Sequence, residues 1–346
     1  MQRFEQLLQF EELNHVLDSI RLPSENVRVV LDNVYQDYSD ADDVAKHLGR
    51  GATLIVNKIH QSSAKIHRVV DAVAAYYRST AVANLYLSQK GVGGFGVHYD
   101  AHDVFILQVQ GSKRWKIHPP TTPHPLFDMK RHDRDGPALA PYFDLLLRPG
   151  EVLYIPRGHW HCASAETGTS MHLTVGVNAP TGIDFLKWLA DELVDDESWR
   201  RPLFADNPEA LIALVESLGS RLRDQDFPET FWKDRSAGLI MGGRFRLPYQ
   251  LAADHFIEFP VAMMVSKRPA LSYVAHSGAG LEIFFHGKVL ELDGAASSFV
   301  NAVEASGNIA LSLGAELRFG LSRTAFEKLI RQLIAEGYIQ LQSCTK

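Results

Sequence analysis

Cysteine is almost missing from this chain. Its 346 residues include only Cys162 and Cys344. That excludes a disulfide framework, and without a CxxC pair there is no zinc knuckle. GxGxxG and GxxxxGK[ST] are also absent. The glycines of GVGGFG (91–96) precede a strand pattern rather than a helix, so they read as a turn and not as a phosphate loop. No HExxH is present, which removes that route to a metallohydrolase. Long apolar runs are lacking too. FPVAMMV (259–265) is among the longest, far short of the roughly 20 residues of a membrane span. The opening MQRFEQLLQFEELNH is interrupted by Glu5, Glu11 and Glu12, and reads as an amphipathic helix rather than a signal peptide. The expectation is a cytoplasmic protein with no membrane partner. Positive charge is not in excess: the net charge of −6 argues against a broad nucleic-acid-binding surface. Internal repeats and low-complexity tracts are absent.

What is there is the material of a folded protein, 46% hydrophobic and 22% charged, long enough for about two domains. The first region, to about residue 190, mixes helical stretches (2–16, 39–48, 65–78) with apolar runs of strand length. These are TLIVNKI (53–59), AVANLYL (81–87), DVFILQVQ (103–110), RWKIHP (114–119), EVLYIP (151–156) and MHLTVGV (171–177). Short β-branched strands divided by Gly, Pro and Ser turns predict a barrel or sandwich. FLKWLADELV (185–194) and PEALIALVESLGSRL (208–222) carry apolar residues at helical spacing. The last region combines a hairpin-like LEIFFHGKVLEL (281–292) with helices at 297–306 and 323–337 and the strand YIQLQ. That combination predicts a winged-helix-like module.

The chemistry centres on HYDAHDVFILQVQGSKRW (98–115). In a strand, residues two apart share a face, so His98 and Asp100 can reach one ion. A third ligand can come from PRGHWHCA (156–163), where either His159 or His161 can turn inward after the turn at Pro156 and Gly158. Two histidines and a carboxylate on one side of an ion leave the other side open, the arrangement of a non-haem Fe(II) centre that binds a co-substrate and dioxygen. Lys113, beside the neighbouring strand, needs an anion if buried, because an unpaired buried ammonium is costly. A dicarboxylic co-substrate meets that need.

GGFGVHYDAHDVFILQVQGSKRWKI, together with YIPRGHWHCA and TSMHLTVGV, resembles the Jumonji C family of Fe(II)/2-oxoglutarate oxygenases. Within it, the likeness is to the cupin-like ribosomal oxygenase branch. The resemblance implies a mainly β fold with α: a double-stranded β-helix (jelly-roll, cupin-like) catalytic domain over 1–182, a helical dimerisation region over 183–250 and a C-terminal winged-helix-like domain over 251–346. It implies Fe(II), 2-oxoglutarate and dioxygen, and a protein substrate hydroxylated on a side chain, an arginine or histidine of a ribosomal protein. Carried over residue by residue, the metal ligands fall on His98, Asp100 and His161, with His159 outside the set. The cation for the far carboxylate falls on Lys113. Asn84, Tyr86 and Thr174 line the co-substrate pocket, with His172 sharing the face of Thr174. His102 lies beside the site, Arg114 and Trp115 are packing and surface residues, and Cys162 is a small buried side chain.

Other readings stand beside this one. They are an oxygenase acting on another peptide or a small molecule, a zinc hydrolase using the same ligands, and a non-enzymatic winged-helix binding protein. Independently of the resemblance, Leu211, Ile212, Leu214, Val215 and Leu218 crowd one helix, and Phe227, Phe231 and Trp232 follow. So many apolar side chains on a short helical stretch point to a homodimer.

Overall fold

The computed structural model describes residues 4, 7–89, 91, 94–127, 129, 136–137, 139–224, 227–238, 262–267, 272–278, 280–285, 287–312 and 314–343. The chain divides into two compact units, Met1–Ala179 and Pro180–Lys346.

The first unit runs α1 (Phe10–Asp18), β1 (Val27–Leu31), β2 (Val34–Gln36), α2 (Ala41–Gly49), β3 (Thr53–Val56), α3 (Ala64–Tyr77), β4 (Ala81–Ser88), β5 (Asp103–Ile117), β6 (Phe143–Leu147), β7 (Val152–Ile155) and β8 (His161–Val177). The helices start where the sequence supplies caps. Asp40 accepts from the Asp43 N–H before α2, and Ser63 from the Ile66 N–H before α3. The strands follow the order β2-β1-β3-β4-β8-β5-β6, with β7 also on β5, and their pairings are antiparallel. β5 and β8 span 15 and 17 residues and pair along nearly their whole length. The result is the expected mainly β, jelly-roll-type architecture. Val104, Ile106, Trp115, Ile117, Leu147 and Ile155 form one of its apolar clusters.

Three expectations change here. First, 103–110 and 114–119 are a single strand, and Gly111 is the reason. It sits at φ +61°, and a Cβ there would lie 2.3 Å from the Thr169 carbonyl oxygen. The register between β5 and β8 slips around it, between Gln108 and Lys113. The slip reverses the alternation: Ile106 faces inward before it, and Lys113 and Trp115 face the same way after it. Gln108, fully buried, holds the irregular stretch by donating to the carbonyls of Gln110 and Gly111 at 2.8 and 3.2 Å. Second, His98 and Asp100 precede β5 rather than lying within a strand; His98 is held instead by an isolated bridge to His161. Third, the helix expected over 2–16 begins at Phe10, with 1–3, 5 and 6 outside the described residues. β1, β2 and β6 went unread, being short or partly polar.

The second unit contains α4 (Gly182–Glu192), α5 (Glu197–Arg200), α6 (Pro208–Asp224), α7 (Phe227–Gly238), β9 (Ala262–Lys267), β10 (Tyr273–Ser277), β11 (Gly280–Phe285), β12 (Lys288–Asp293), α8 (Ser297–Ser306), β13 (Asn308–Ser312), α9 (Ala315–Arg318), α10 (Arg323–Ala335) and β14 (Ile339–Ser343). The hairpin, both long helices and the last strand of its C-terminal part lie where the sequence predicts them. They are joined by β9, β10 and β13, which close two three-stranded sheets, β10-β11-β12 and β13-β9-β14. Phe285, Phe299, Val300, Phe326, Leu333 and Tyr338 make up much of their common core. Phe231 is only 7% exposed, packed against Phe185, Trp188 and Trp232. It belongs to the interior of this unit, not to a free surface as the dimer argument had it. Residues 239–250 of the expected helical region lie outside the described residues.

Candidate metal centre and co-substrate pocket

The His98–His161 bridge is built from two backbone hydrogen bonds, His98 N–H to the His161 carbonyl at 3.1 Å and His161 N–H to the His98 carbonyl at 2.7 Å. It sets the two side chains together, with ring centroids 4.5 Å apart. Each Nδ1 is turned away to a main-chain acceptor, His98 to Gly96 O at 2.9 Å and His161 to His159 O at 3.0 Å. With Nδ1 engaged by the main chain, Nε2 is the ligand atom that each ring can offer an ion. Asp100 completes the group: its Oδ2 lies 3.7 Å from His161 Nε2, and one ligand atom from each of the three falls within 4.8 Å of the others. His159, the alternative in the sequence, is not part of this cluster; its Nδ1 donates to Pro156 O at 3.2 Å and its ring lies near Tyr142.

The turn before β8 is what makes that choice. Gly158 has φ +85°, and a Cβ on it would meet the Thr122 carbonyl oxygen and Pro125, both at 2.7 Å. Its N–H donates to the Asp100 carbonyl at 2.9 Å, tying the turn to the second ligand. A buried ion pair anchors the same turn. Asp103 accepts from the Arg157 guanidinium at 2.8 and 3.3 Å, from the Arg157 N–H at 3.1 Å and from the Tyr154 hydroxyl at 3.1 Å. Neither Asp103 nor Arg157 was singled out from the sequence. The signal was available, since an Asp opening an apolar strand and an Arg after a Pro are both unusual when buried.

Beside the ligands is a small cavity of ≈ 60 Å³, lined among others by Tyr86, Lys113, Trp115, His172 and Thr174. Lys113 is 3% exposed, and its ammonium donates to Ser88 Oγ at 3.1 Å, its one hydrogen-bond partner among the described residues. Burial pushes its pKa down to about 7. His172 stacks on Tyr86 with centroids 4.9 Å apart, and burial, then the charge of Lys113, holds its imidazole well below the usual range. Burial also raises the Tyr86 phenol, with Asp100 adding to the effect and a hydrogen bond from Asn84 opposing it. Among the described residues, Trp115 Nε1 and His172 Nδ1 are buried without a hydrogen-bond partner. A cavity with an ammonium and an orphaned indole N–H is short of acceptors, which a carboxylate would supply.

Asn84 takes a different place from the one expected. It pairs with Thr174 across β4 and β8, but its Oδ1 accepts the Lys58 N–H at 3.0 Å and it does not line the cavity. It stands behind Tyr86 instead. Trp115 moves the other way, from a packing residue to a wall of the cavity, 6.1 Å from the His161 ring. Arg114 is the surface residue expected, paired with Asp144 and Glu166. His102 lies against Gly176, where a Cβ would come within 2.6 Å of its Nε2, and it is not among the three clustered ligands.

Comparison with known proteins agrees with this geometry. Residues 54–185 match the family model of the JmjC domain, a span that holds the clustered His98, Asp100 and His161 and every residue lining the cavity but Thr53. That stretch is similar to the JmjC domain. Over 127 residues it is 35% identical to Ribosomal oxygenase 2 of Rattus norvegicus, covering 36% of this chain and 27% of that protein. Over 135 residues it is 30% identical to the bifunctional lysine-specific demethylase and histidyl-hydroxylase NO66 of Dictyostelium discoideum, covering 38% and 26%. The chain thus spans about a quarter of the length of these curated relatives. Beyond the JmjC domain, the likeness extends to the fold of the whole chain. The Escherichia coli ribosomal oxygenase YcfD superposes with a TM-score of 0.62 at 20% identity, covering 97% of this chain and 91% of that one. The same protein in complex with cobalt and 2-oxoglutarate gives 0.58 at 18%, with the same coverage. Among the described residues, no helix is long and apolar enough to cross a membrane.

Proposed function

We propose that the chain is an Fe(II)/2-oxoglutarate-dependent oxygenase that hydroxylates a protein side chain, an arginine or histidine of a ribosomal protein. The observation that carries this reading is the juxtaposition of His98, Asp100 and His161 with a buried cavity rich in donors and short of acceptors. Two imidazoles that offer Nε2 and one carboxylate suit Fe(II). Lys113 would hold the far carboxylate of 2-oxoglutarate in a charge-assisted pair. Trp115, His172 and Tyr86 would bound the co-substrate, and Thr174 would limit its depth in the cavity. The iron, with the co-substrate and dioxygen, supplies the oxidising power that inserts one oxygen atom into a C–H bond as 2-oxoglutarate becomes succinate and CO₂. The protein's part is to hold the ligand rings through Gly96 and His159, to orient the co-substrate, and to keep the site dry.

A ribosomal substrate is supported by the likeness to Ribosomal oxygenase 2 and to the ribosomal oxygenase YcfD. A zinc hydrolase would use the same three ligands, but it gives Lys113 no task. The domain limits 1–182, 183–250 and 251–346 and a homodimer belong to this reading. Leu211, Ile212 and Val215 on α6 are 47%, 56% and 56% exposed, which favours a partner on that face. The cytoplasm is the compartment in which a ribosomal target would be met. The deciding experiment is incubation with Fe(II), 2-oxoglutarate and host ribosomes, followed by mass spectrometry. Gain of one oxygen on a ribosomal protein, dependent on 2-oxoglutarate, is the expected result. No 2-oxoglutarate turnover with any fraction, and zinc in the purified protein, would replace the oxygenase with the hydrolase.

A further inference from the structure

β2 is the outermost strand on its side of the jelly-roll sheet, and the described chain pairs it only with β1. The two are joined by a two-residue turn, Asp32–Asn33, with φ +51° and +66°. Both signs are those of a type I′ hairpin, whose closing pair, here Leu31 and Val34, is hydrogen-bonded. Alternation along an antiparallel pair then makes Val30 and Tyr35 the non-hydrogen-bonded pair, so the N–H and C=O of Tyr35 face the open edge. An open edge is a template for another strand. The Tyr35 side chain, 62% exposed, begins a chain of ring contacts that runs to the metal centre. Tyr35 meets Phe95 at 6.2 Å, and Phe95 meets His98 at 5.7 Å and Tyr86 at 6.4 Å. The hairpin tip is seated on the same path, since Asn33 lies against Gly96, whose carbonyl orients the His98 ring.

Acidic side chains flank β2 at both ends, Asp32 in the turn and Asp37 just past the strand, while Arg28 on β1 is exposed one register position beyond the Val29–Gln36 pair. Asp32, Asp37 and Asp42 are exposed, and none has an ion-pair partner among the described residues. We infer that the free edge of β2, with Tyr35 and Phe95, receives an extended cationic polypeptide segment and delivers one of its side chains to His98, Asp100 and His161. Main-chain hydrogen bonds to Tyr35 set the direction of the segment, and alternate side chains fall on the Tyr35–Phe95 shelf. Arginine or lysine on the other positions meets the three aspartates, which raises the rate of encounter and rejects acidic chains. The inference rests on the oxygenase reading only in taking the metal centre as the destination.

The test is a binding measurement on the full chain without iron or 2-oxoglutarate, so a failure of the oxygenase reading leaves its outcome unaffected. The probe is a fluorescent peptide of about twelve residues alternating arginine and valine, a pattern that suits a strand. It is compared with its glutamate–valine counterpart and with a version N-methylated at every valine. The arginine peptide is expected to bind, and the other two not. Tyr35→Thr, a solvent-side change that keeps strand propensity, weakens binding about fivefold, as does the pair Asp37→Asn with Asp42→Asn. Tyr76→Ala, exposed on α3 at 82%, leaves it unchanged. Absence of binding, equal affinity in native protein and both variants, or full affinity of the N-methylated peptide would each overturn the inference.

Discussion

His98 and His161 are bonded to each other through their main chains, each N–H donating to the other's carbonyl. One bridge therefore positions two of the three candidate metal ligands, distant in sequence, and a change at either is felt by both.

The bridge predicts how the ligands respond to substitution. His98→Ala, Asp100→Ala and His161→Ala should each abolish iron binding, measured by metal analysis after gel filtration. His159→Ala should retain most of it, because its carbonyl, which accepts from His161 Nδ1, survives the substitution. Iron retained in His161→Ala and lost in His159→Ala would reverse the assignment.

Lys113→Ala should weaken 2-oxoglutarate binding at least tenfold, a loss of about 1.5–3 kcal/mol for a charged hydrogen bond. Iron binding should change little. Calorimetric titration checks both.

The pH dependence of that site follows from burial. The Lys113 pKa is depressed to about 7 in the folded chain, below its unfolded value. The unfolded state therefore holds more protons between about 7 and the normal lysine range, and the cost of burying the charge is relieved as pH rises through that window. Below about pH 7 the cost is fully present. A bound carboxylate needs the charged form, so 2-oxoglutarate should bind with proton uptake above pH 7 and lose affinity as pH rises further. Titration in buffers of different ionisation enthalpy reads the uptake directly. No uptake at pH 8 would mean that Lys113 is already charged in the empty cavity.

Asp103→Ala leaves the Arg157 guanidinium buried without its carboxylate. Breaking a buried pair in this way costs about 3–5 kcal/mol, and denaturant unfolding should show it. Because the pair anchors the Gly158 turn, iron affinity should fall as well.

Charge placed on the exposed face of α6, as Ile212→Glu with Val215→Glu, should give a monomer that still binds iron. Light scattering coupled to gel filtration separates a mass near 38.6 kDa from twice that value. Phe231 is unsuited to this experiment: a charge there enters the interior of its own unit and tests folding instead.

The sequence by itself determined the chemistry of the site. HxD before an apolar run, a histidine after a PRG turn and a lysine in a strand context limited the ligands to a few residue types, and period-two alternation put Asn84 with Tyr86 on one face of their strand and His172 with Thr174 on one face of theirs. Local signals of this kind survive because the strand repeat and the needs of a turn depend on near neighbours only. The choice among candidates was made by tertiary structure. His161 rather than His159 reaches the centre because a main-chain bridge to a distant segment sets its direction. Lys113 and Trp115 point inward because the slip at Gly111, imposed by the close approach of Thr169 on β8, reverses the alternation of β5. Asn84 stays out of the cavity lining because its Oδ1 is engaged by the Lys58 N–H, and Phe231 is interior because α4 covers it. Each of these depends on which residues far apart in the chain come into contact, and no local pattern contains that information.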